Sequence, residues 1–178
     1  MKIVSLLPAA TEILCDMGLA EYISAVSHEC DYPSTINNKL KITSSILPHN
    51  IDQNAIDKLV KEAVKNNIPL YEVDNEQLNK INPDLIITQG LCDVCSISED
   101  KIQATLKNNL CTLSSNTEII SLNGITFDEI CSDILRIGIA VNKEEIAQKL
   151  IKEAVDTKHK ITKERSSNSL LLLEWIDP

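Results

Sequence analysis

Two short loops hold three of the six cysteines and one of the three histidines in this sequence. The first is His28-Glu29-Cys30-Asp31-Tyr32-Pro33, and the second is Gln89-Gly90-Leu91-Cys92-Asp93-Val94-Cys95. Imidazole and thiolate suit zinc or copper(I) better than calcium or magnesium. Cys92-x-x-Cys95 has the spacing of half a zinc site, and also that of a redox-active pair at a helix start. Cys30 and His28 would complete a four-ligand set with Cys92 and Cys95 if the fold joins the two loops. Each loop follows a run with the pattern of a β-strand. In an open α/β sheet the loops at the carboxyl ends of parallel strands line one crevice, so topology alone could bring them together. The competing reading is that these are small apolar thiols packed at strand ends.

Other chemistries find less support. There is no Gly-x-Ser-x-Gly elbow for a serine nucleophile. The four glycines, at 18, 90, 124 and 138, form no phosphate-cradling loop. Glu29 and Asp31 flank Cys30, but their spacing does not define an acid–base pair, and a solvated loop is expected. Thiol–disulfide exchange at Cys92 and Cys95 would need a depressed thiolate pKa, and Asp93 between them opposes it. Cys15 and Cys131 fall within helical patterns and Cys111 opens an apolar run, so all three are expected in the core. His49 lies in a loop on the presumed crevice side, whereas His159 sits among lysines and is expected to be solvated. A net charge of −9 argues against the basic face that a nucleic-acid partner requires.

The elements that must position these loops follow from the hydrophobic pattern. Of 178 residues, 43% are hydrophobic and only 3% aromatic, so Ile, Leu and Val must fill the core of a soluble α/β domain. Ile3–Leu7 is an apolar run that meets Pro8, a favoured first-turn residue, and the helix it opens should stop at Gly18. Ile23–Ser27 is a second strand, and Lys41–Ile46 a third strand or extended loop. Asp52–Asn66 places Ile56, Leu59, Val60, Ala63 and Val64 at helical spacing. Leu70–Val73 is a strand, and Asp74-x-x-Gln77 is a capping-box pattern for the short helix that Pro83 ends. Asp84–Gln89 is the clearest buried strand. Ser96-x-x-Glu99 caps a helix to about Asn108, Cys111–Ser114 is a further strand candidate, and Asn123-Gly124 marks a turn. Thr126-x-x-Glu129 caps a helix reaching Val141, and Asn142 opens another that continues to Arg165. That last helix, with roughly 23 residues at about 1.5 Å each, would span about 34 Å. This length suits a rod between two lobes. Ser166-Ser167-Asn168 breaks it, and Leu170–Ile176 has the pattern of a strand whose apolar faces need a second domain.

No apolar run approaches the length of a membrane span. The opening decapeptide carries one positive charge, is interrupted by Pro8 and is followed by Glu12, so it is expected to be a strand rather than an export signal. A cytoplasmic location with reduced thiols is the expectation that follows.

The motifs resemble a known family. Ile3-Val4-Ser5-Leu6-Leu7-Pro8-Ala9-Ala10-Thr11-Glu12 is similar to the opening of solute-binding proteins of cobalamin and iron-siderophore ABC transporters. Asn82-Pro83-Asp84-Leu85-Ile86-Ile87 resembles their fourth strand and its lead-in. The two cysteine loops, with Leu172-Leu173-Glu174-Trp175-Ile176-Asp177-Pro178, resemble a subgroup usually called cobalamin-binding proteins. The resemblance implies a non-catalytic protein with two α/β lobes, each an open, mostly parallel sheet flanked by helices, joined by one long helix and clamping a ligand between them. It implies an N-terminal lobe over residues 1–125, helices including the interlobe rod over 126–165, and the first strand of a second, truncated lobe over 169–178. It implies that cobalamin or a related corrinoid is the ligand, contacted by Pro8, Ala9, His28, Glu29, Cys30, Asp31, Tyr32, Gln89, Leu91, Cys92, Cys95 and Trp175. It also aligns Glu76 with a glutamate that docks onto arginines of an ABC transporter permease. Zinc or copper at His28, Cys30, Cys92 and Cys95 is the alternative. Family members are often periplasmic or membrane-anchored.

Overall fold

The computed structural model describes residues 1–48, 52–66, 68–90 and 116–163. Its centre is a five-stranded parallel sheet in the order β3-β2-β1-β6-β7. The strands are β1 (Ile3–Ser5), β2 (Ile23–Val26), β3 (Leu40–Lys41), β6 (Leu85–Gln89) and β7 (Glu118–Leu122). β4 (Thr43–Ser45) and β5 (Tyr71–Val73) form a separate antiparallel pair. The helices are α1 (Pro8–Asp16), α2 (Gln53–Lys65), α3 (Asn75–Ile81), α4 (Phe127–Ala140) and α5 (Glu144–Lys163).

Both faces of the sheet are covered, which explains its runs of consecutive apolar residues. Alternation along each strand sends Ile3, Leu85, Ile87, Ile120 and Leu122 to one face. There they join Ala10 and Leu14 of α1, Ile137 of α4 and Ala147 of α5 in the larger core. Val4, Leu6, Ala25 and Ile86 point the other way and meet Ile42 and Leu78. The larger core therefore takes in α4 and the first turns of α5. Among the described residues, no helix is long and apolar enough to cross a membrane.

The helix boundaries follow their local chemistry. α1 starts at Pro8 after an extended Leu7, and the chain leaves it through Gly18 at φ +75°. Asp52 and Asp74 each accept an N–H from the third residue on, at 3.0 and 2.9 Å. Thr126 and Glu129 complete a reciprocal capping box at the start of α4. α3 ends through Asn82, left-handed at φ 47°, immediately before Pro83. α4 and α5 approach so closely that a Cβ on Gly138 would lie 2.4 Å from that of Ala147.

One strand expectation needs correction, and one strand was not anticipated. Lys41–Ile46 is neither one strand nor a loop, because Ile42 divides it between two sheets. Its N–H donates to Val26 O at 2.9 Å, extending the main sheet. Its carbonyl accepts from Asp74 N at 2.8 Å, starting the small one. β7 has no counterpart among the expected strands, whose fifth candidate, Cys111–Ser114, lies outside the described residues. Glu118 and Ser121 interrupt the apolar run and hide the strand in the sequence, although the Asn123-Gly124 turn marks its end.

Candidate functional site

The carboxyl ends of β1, β2, β6 and β7 share one edge, as the parallel pairings require. Chain order runs outward from β1 through β2 to β3, then restarts on its other side with β6 and β7. β1 and β6 therefore flank the topological switch point, where open α/β sheets hold ligands. Half-buried Pro8 and exposed Ala9 follow β1 there, and half-buried Gln89 ends β6. Gly90 continues from Gln89 with no room for a side chain. A Cβ would lie 2.2 Å from Asn123 Oδ1 and 2.8 Å from Ser121 Oγ. The loop after β7 is in turn gripped by buried Asp133 of α4, which accepts from Asn123 N at 3.0 Å and Gly124 N at 2.9 Å. Arg136 Nη1 donates to the other oxygen of Asp133 at 2.9 Å and to Ser121 O at 2.9 Å.

One strand away, the residues after β2 form a polar cluster with the small sheet. His28 Nδ1 lies 2.6 Å from Thr43 Oγ1, and its backbone N–H donates to the same oxygen at 2.9 Å. Thr43, which is buried, passes its own hydroxyl hydrogen to Ser27 Oγ at 3.2 Å. The imidazole leans on Tyr71 of β5, ring centroids 5.1 Å apart. Its Nε2 faces Glu29 Oε1 at 3.5 Å, and Tyr71 Oη donates to that same oxygen at 3.4 Å. Neither Thr43 nor Tyr71 was anticipated as a site residue. Their strands carry no motif, and only the antiparallel register of β4 with β5 places both against His28.

The two loops contribute unequally. His28 and Glu29 belong to the cluster, while Asp31 and Tyr32 are exposed, Tyr32 at 65%. Cys30 departs from the expectation of a ligand offered to the crevice. It is 1% exposed within the larger core, with its sulfur 3.2 Å from Thr11 Oγ1. Burial pushes its thiol above the ordinary value of 9.0, against the lowering pull of the Thr11 hydroxyl, so at neutral pH it is a protonated packing residue. Its carbonyl accepts from Lys41 Nζ. Cys15 is half-buried against the same core, and burial raises its thiol too. Cys131 is half-buried on α4.

Leu91, Cys92, Cys95, Trp175, His49 and Cys111 lie outside the described residues. Among the described residues, no group of three or more His, Cys, Asp or Glu side chains is arranged to hold a metal ion. Glu76 stands in the first turn of α3, highly exposed and 2.5 Å from Lys80 Nζ.

The fold is that of one lobe of the periplasmic solute-binding proteins. One similar solved structure is a possible iron-binding (periplasmic solute-binding) protein from Staphylococcus epidermidis, at 24% identity over 91% of this chain and 49% of that one, with a TM-score of 0.57. A second is the periplasmic vitamin B12 binding protein BtuF of Vibrio cholerae, at 22% identity over 91% of this chain and 48% of that one, TM-score 0.55. A third is the periplasmic heme binding protein HutB of Vibrio cholerae, at 19% identity over 94% of this chain and 51% of that one, TM-score 0.62. The chain thus spans about half the length of the structures it matches. All three are described as periplasmic, which lends no support to a cytoplasmic placement. No protein-family model matches the sequence, and no curated protein does.

Proposed function

We propose that this chain is a non-catalytic binding lobe for a metal-bearing tetrapyrrole, cobalamin or a related corrinoid first and heme second. The ligand lies against the carboxyl edge of the sheet. The observation that carries the proposal is the coincidence, on that edge, of the topological switch point with the His28–Glu29–Tyr71 cluster. The resemblance of the two loops to cobalamin-binding proteins favours the corrinoid. Two fold neighbours, a vitamin B12 binding protein and a heme binding protein, support the wider class. Pro8, Ala9, His28, Glu29, Tyr32 and Gln89 provide contacts, with Leu91, Cys92, Cys95 and Trp175 assigned to the same ligand by the resemblance alone. A site in this family of folds encloses its ligand between two lobes, and good sites cover most of a ligand's surface. This lobe by itself is therefore expected to bind more weakly than it would as half of a two-lobed cleft. Glu76 is the contact for an ABC transporter permease, and the ligand is delivered unchanged.

Bare zinc or copper is the less favoured reading, because Cys30 is withdrawn into the core. The deciding experiment is equilibrium dialysis of the chain against aquocobalamin, hemin and metal-free protoporphyrin. Saturable one-to-one retention of a metal macrocycle is expected. Retention of none of the three above an unrelated control protein would reject the proposal.

A further inference from the structure

We propose that Asn123 is a ligand-binding residue, and that with Glu29 it selects a macrocycle rimmed by carboxamides over one rimmed by carboxylates. This rests on the binding reading above, and it specifies the periphery of the ligand.

The sheet order sets the geometry. Glu29 follows β2 and Asn123 follows β7, with β1 and β6 between them. At about 4.8 Å per strand the two strand ends stand about 14 Å apart, on either side of the switch point. A ring lying across Pro8, Ala9 and Gln89 therefore brings opposite sides of its rim to these two residues.

Both side chains are held, and each leaves one polar group unused. Tyr71 Oη donates to Glu29 Oε1 at 3.4 Å, and Glu29 Oε2 has no hydrogen-bond partner among the described residues. Asn123 is exposed, but its backbone N–H is fixed by Asp133 at 3.0 Å. Its Oδ1 accepts from Ser121 Oγ at 3.3 Å and lies against Gly90. Its side-chain NH2 has no partner among the described residues. The edge thus offers an acceptor on one side and a donor on the other. Primary carboxamides satisfy both, since their N–H groups donate to the carboxylate and their C=O groups accept from the amide.

Charge disfavours the other rim. The described residues that directly follow the four strands include Glu29 and Asp31 and no lysine or arginine. Lys41 Nζ is taken by the Cys30 carbonyl, and Arg136 by Asp133 and the Ser121 carbonyl. Carboxylates on a ligand would meet like charge at Glu29 with no counter-ion from these residues, and such a contact is how a site rejects a close analogue.

The test is equilibrium dialysis of the whole chain at neutral pH against dicyanocobinamide and dicyanocobyrinic acid. The two share the ring, the cobalt and the axial cyanides, and differ in carrying amides or carboxylates on the rim. Wild type is expected to retain the amide form at least about tenfold more tightly. Asn123→Ala should weaken retention of the amide form about 3–10-fold, the effect of one hydrogen bond. Asn123→Asp should spare the amide form, whose N–H groups can donate to the new carboxylate, and weaken the acid form further. Glu29→Gln should narrow the preference. Each variant is checked for folding by far-UV circular dichroism, and the ratio of the two ligands is the readout that a merely structural role would not move. Equal retention of both forms by wild type, or a ratio unchanged in all three variants, overturns rim selection while leaving the binding function intact. Retention of hemin with neither corrinoid does the same, and retention of none of them overturns both.

Discussion

Thr43→Val is the most informative single change, because it removes one hydroxyl and almost no volume. That hydroxyl serves three hydrogen bonds: from His28 N at 2.9 Å, with His28 Nδ1 at 2.6 Å, and to Ser27 Oγ at 3.2 Å. The backbone N–H of His28 sits in a half-buried position and would lose its acceptor, at a cost of about 1–3 kcal/mol. The imidazole, whose side chain is 25% exposed, can turn to water, so its share is about 0.5 kcal/mol. Ser27 Oγ keeps the N–H of Glu29 at 3.3 Å. The added buried methyl returns about 0.8 kcal/mol. The net loss is about 1–2 kcal/mol, or about 2–8 °C in Tm for a chain of this size. Urea unfolding followed by far-UV circular dichroism measures it, with an unchanged denaturant slope expected. Thr43→Ser keeps the hydroxyl and should preserve His28 in place. Aquocobalamin retention should weaken in Thr43→Val, where the imidazole loses the hydroxyl that orients it, and recover in Thr43→Ser. A Thr43→Val protein within about 0.5 kcal/mol of wild type, or a serine variant as impaired as the valine one, would refute the reasoning.

Three further outcomes test other parts of the structure. Asp133→Ala should cost about 2–3 kcal/mol in chemical denaturation, since it strips the acceptor from two loop N–H groups, while Asp133→Asn, which keeps one acceptor oxygen, should cost about half as much. Gly138→Ala should destabilise by about 1–2 kcal/mol net of its helix-propensity gain, because its methyl would lie 2.4 Å from that of Ala147, and a double-mutant cycle with Ala147→Gly should recover part of the loss. Cys30 gives a signed pH effect. Its folded-state pKa is raised, so its contribution to stability is complete below the ordinary value of 9.0 and is lost as pH rises through the folded value, where the unfolded chain ionises first. Stability measured from neutral pH to about pH 10.5 should fall more steeply for wild type than for Cys30→Val, and equal slopes would contradict the assignment.

The parallel sheet was legible because its strands obey one simple rule. Strands covered on both faces become short, continuous apolar runs, and Ile3–Leu7, Ile23–Ser27 and Asp84–Gln89 stand out in a chain with few aromatics. Helix starts were legible through the capping chemistry of Asp74 and Thr126, since an N-cap acts over three residues, while α2 was legible through its apolar spacing. The sequence left Cys30 between a ligand and a packed thiol because a motif records spacing, not direction, and its burial favours the packed thiol. Its loop returns at Cys30, whose N–H donates to Ser27 O at 3.1 Å and whose sulfur turns under α1 to Thr11. Histidine and cysteine two residues apart thus end on opposite sides of the loop, one at the edge and one in the core.

What the sequence could not convey is the role of the small sheet. Lys41–Ile46 read as a strand or extended loop and Leu70–Val73 as a strand, but nothing in either says that they pair with each other, and β4–β5 adds nothing to the five-stranded order. Its position depends on Ile42, which is 1% exposed in the second core and hands the chain from Val26 to Asp74. That anchor sets Thr43 one residue beyond the main sheet, directly beneath His28, and the antiparallel register brings Tyr71 alongside. A substitution at Ile42 such as Ile42→Ala should therefore disturb His28 without touching it. Beyond the loss of about 2–5 kcal/mol common to buried isoleucines, it should reduce corrinoid retention by the fraction that remains folded. Ile86→Ala, in the same core but on the central sheet, should lower stability comparably and leave retention by the folded fraction nearly unchanged. Equal effects of the two on retention would show that the small sheet merely covers the core, and that His28 is oriented by something other than Thr43.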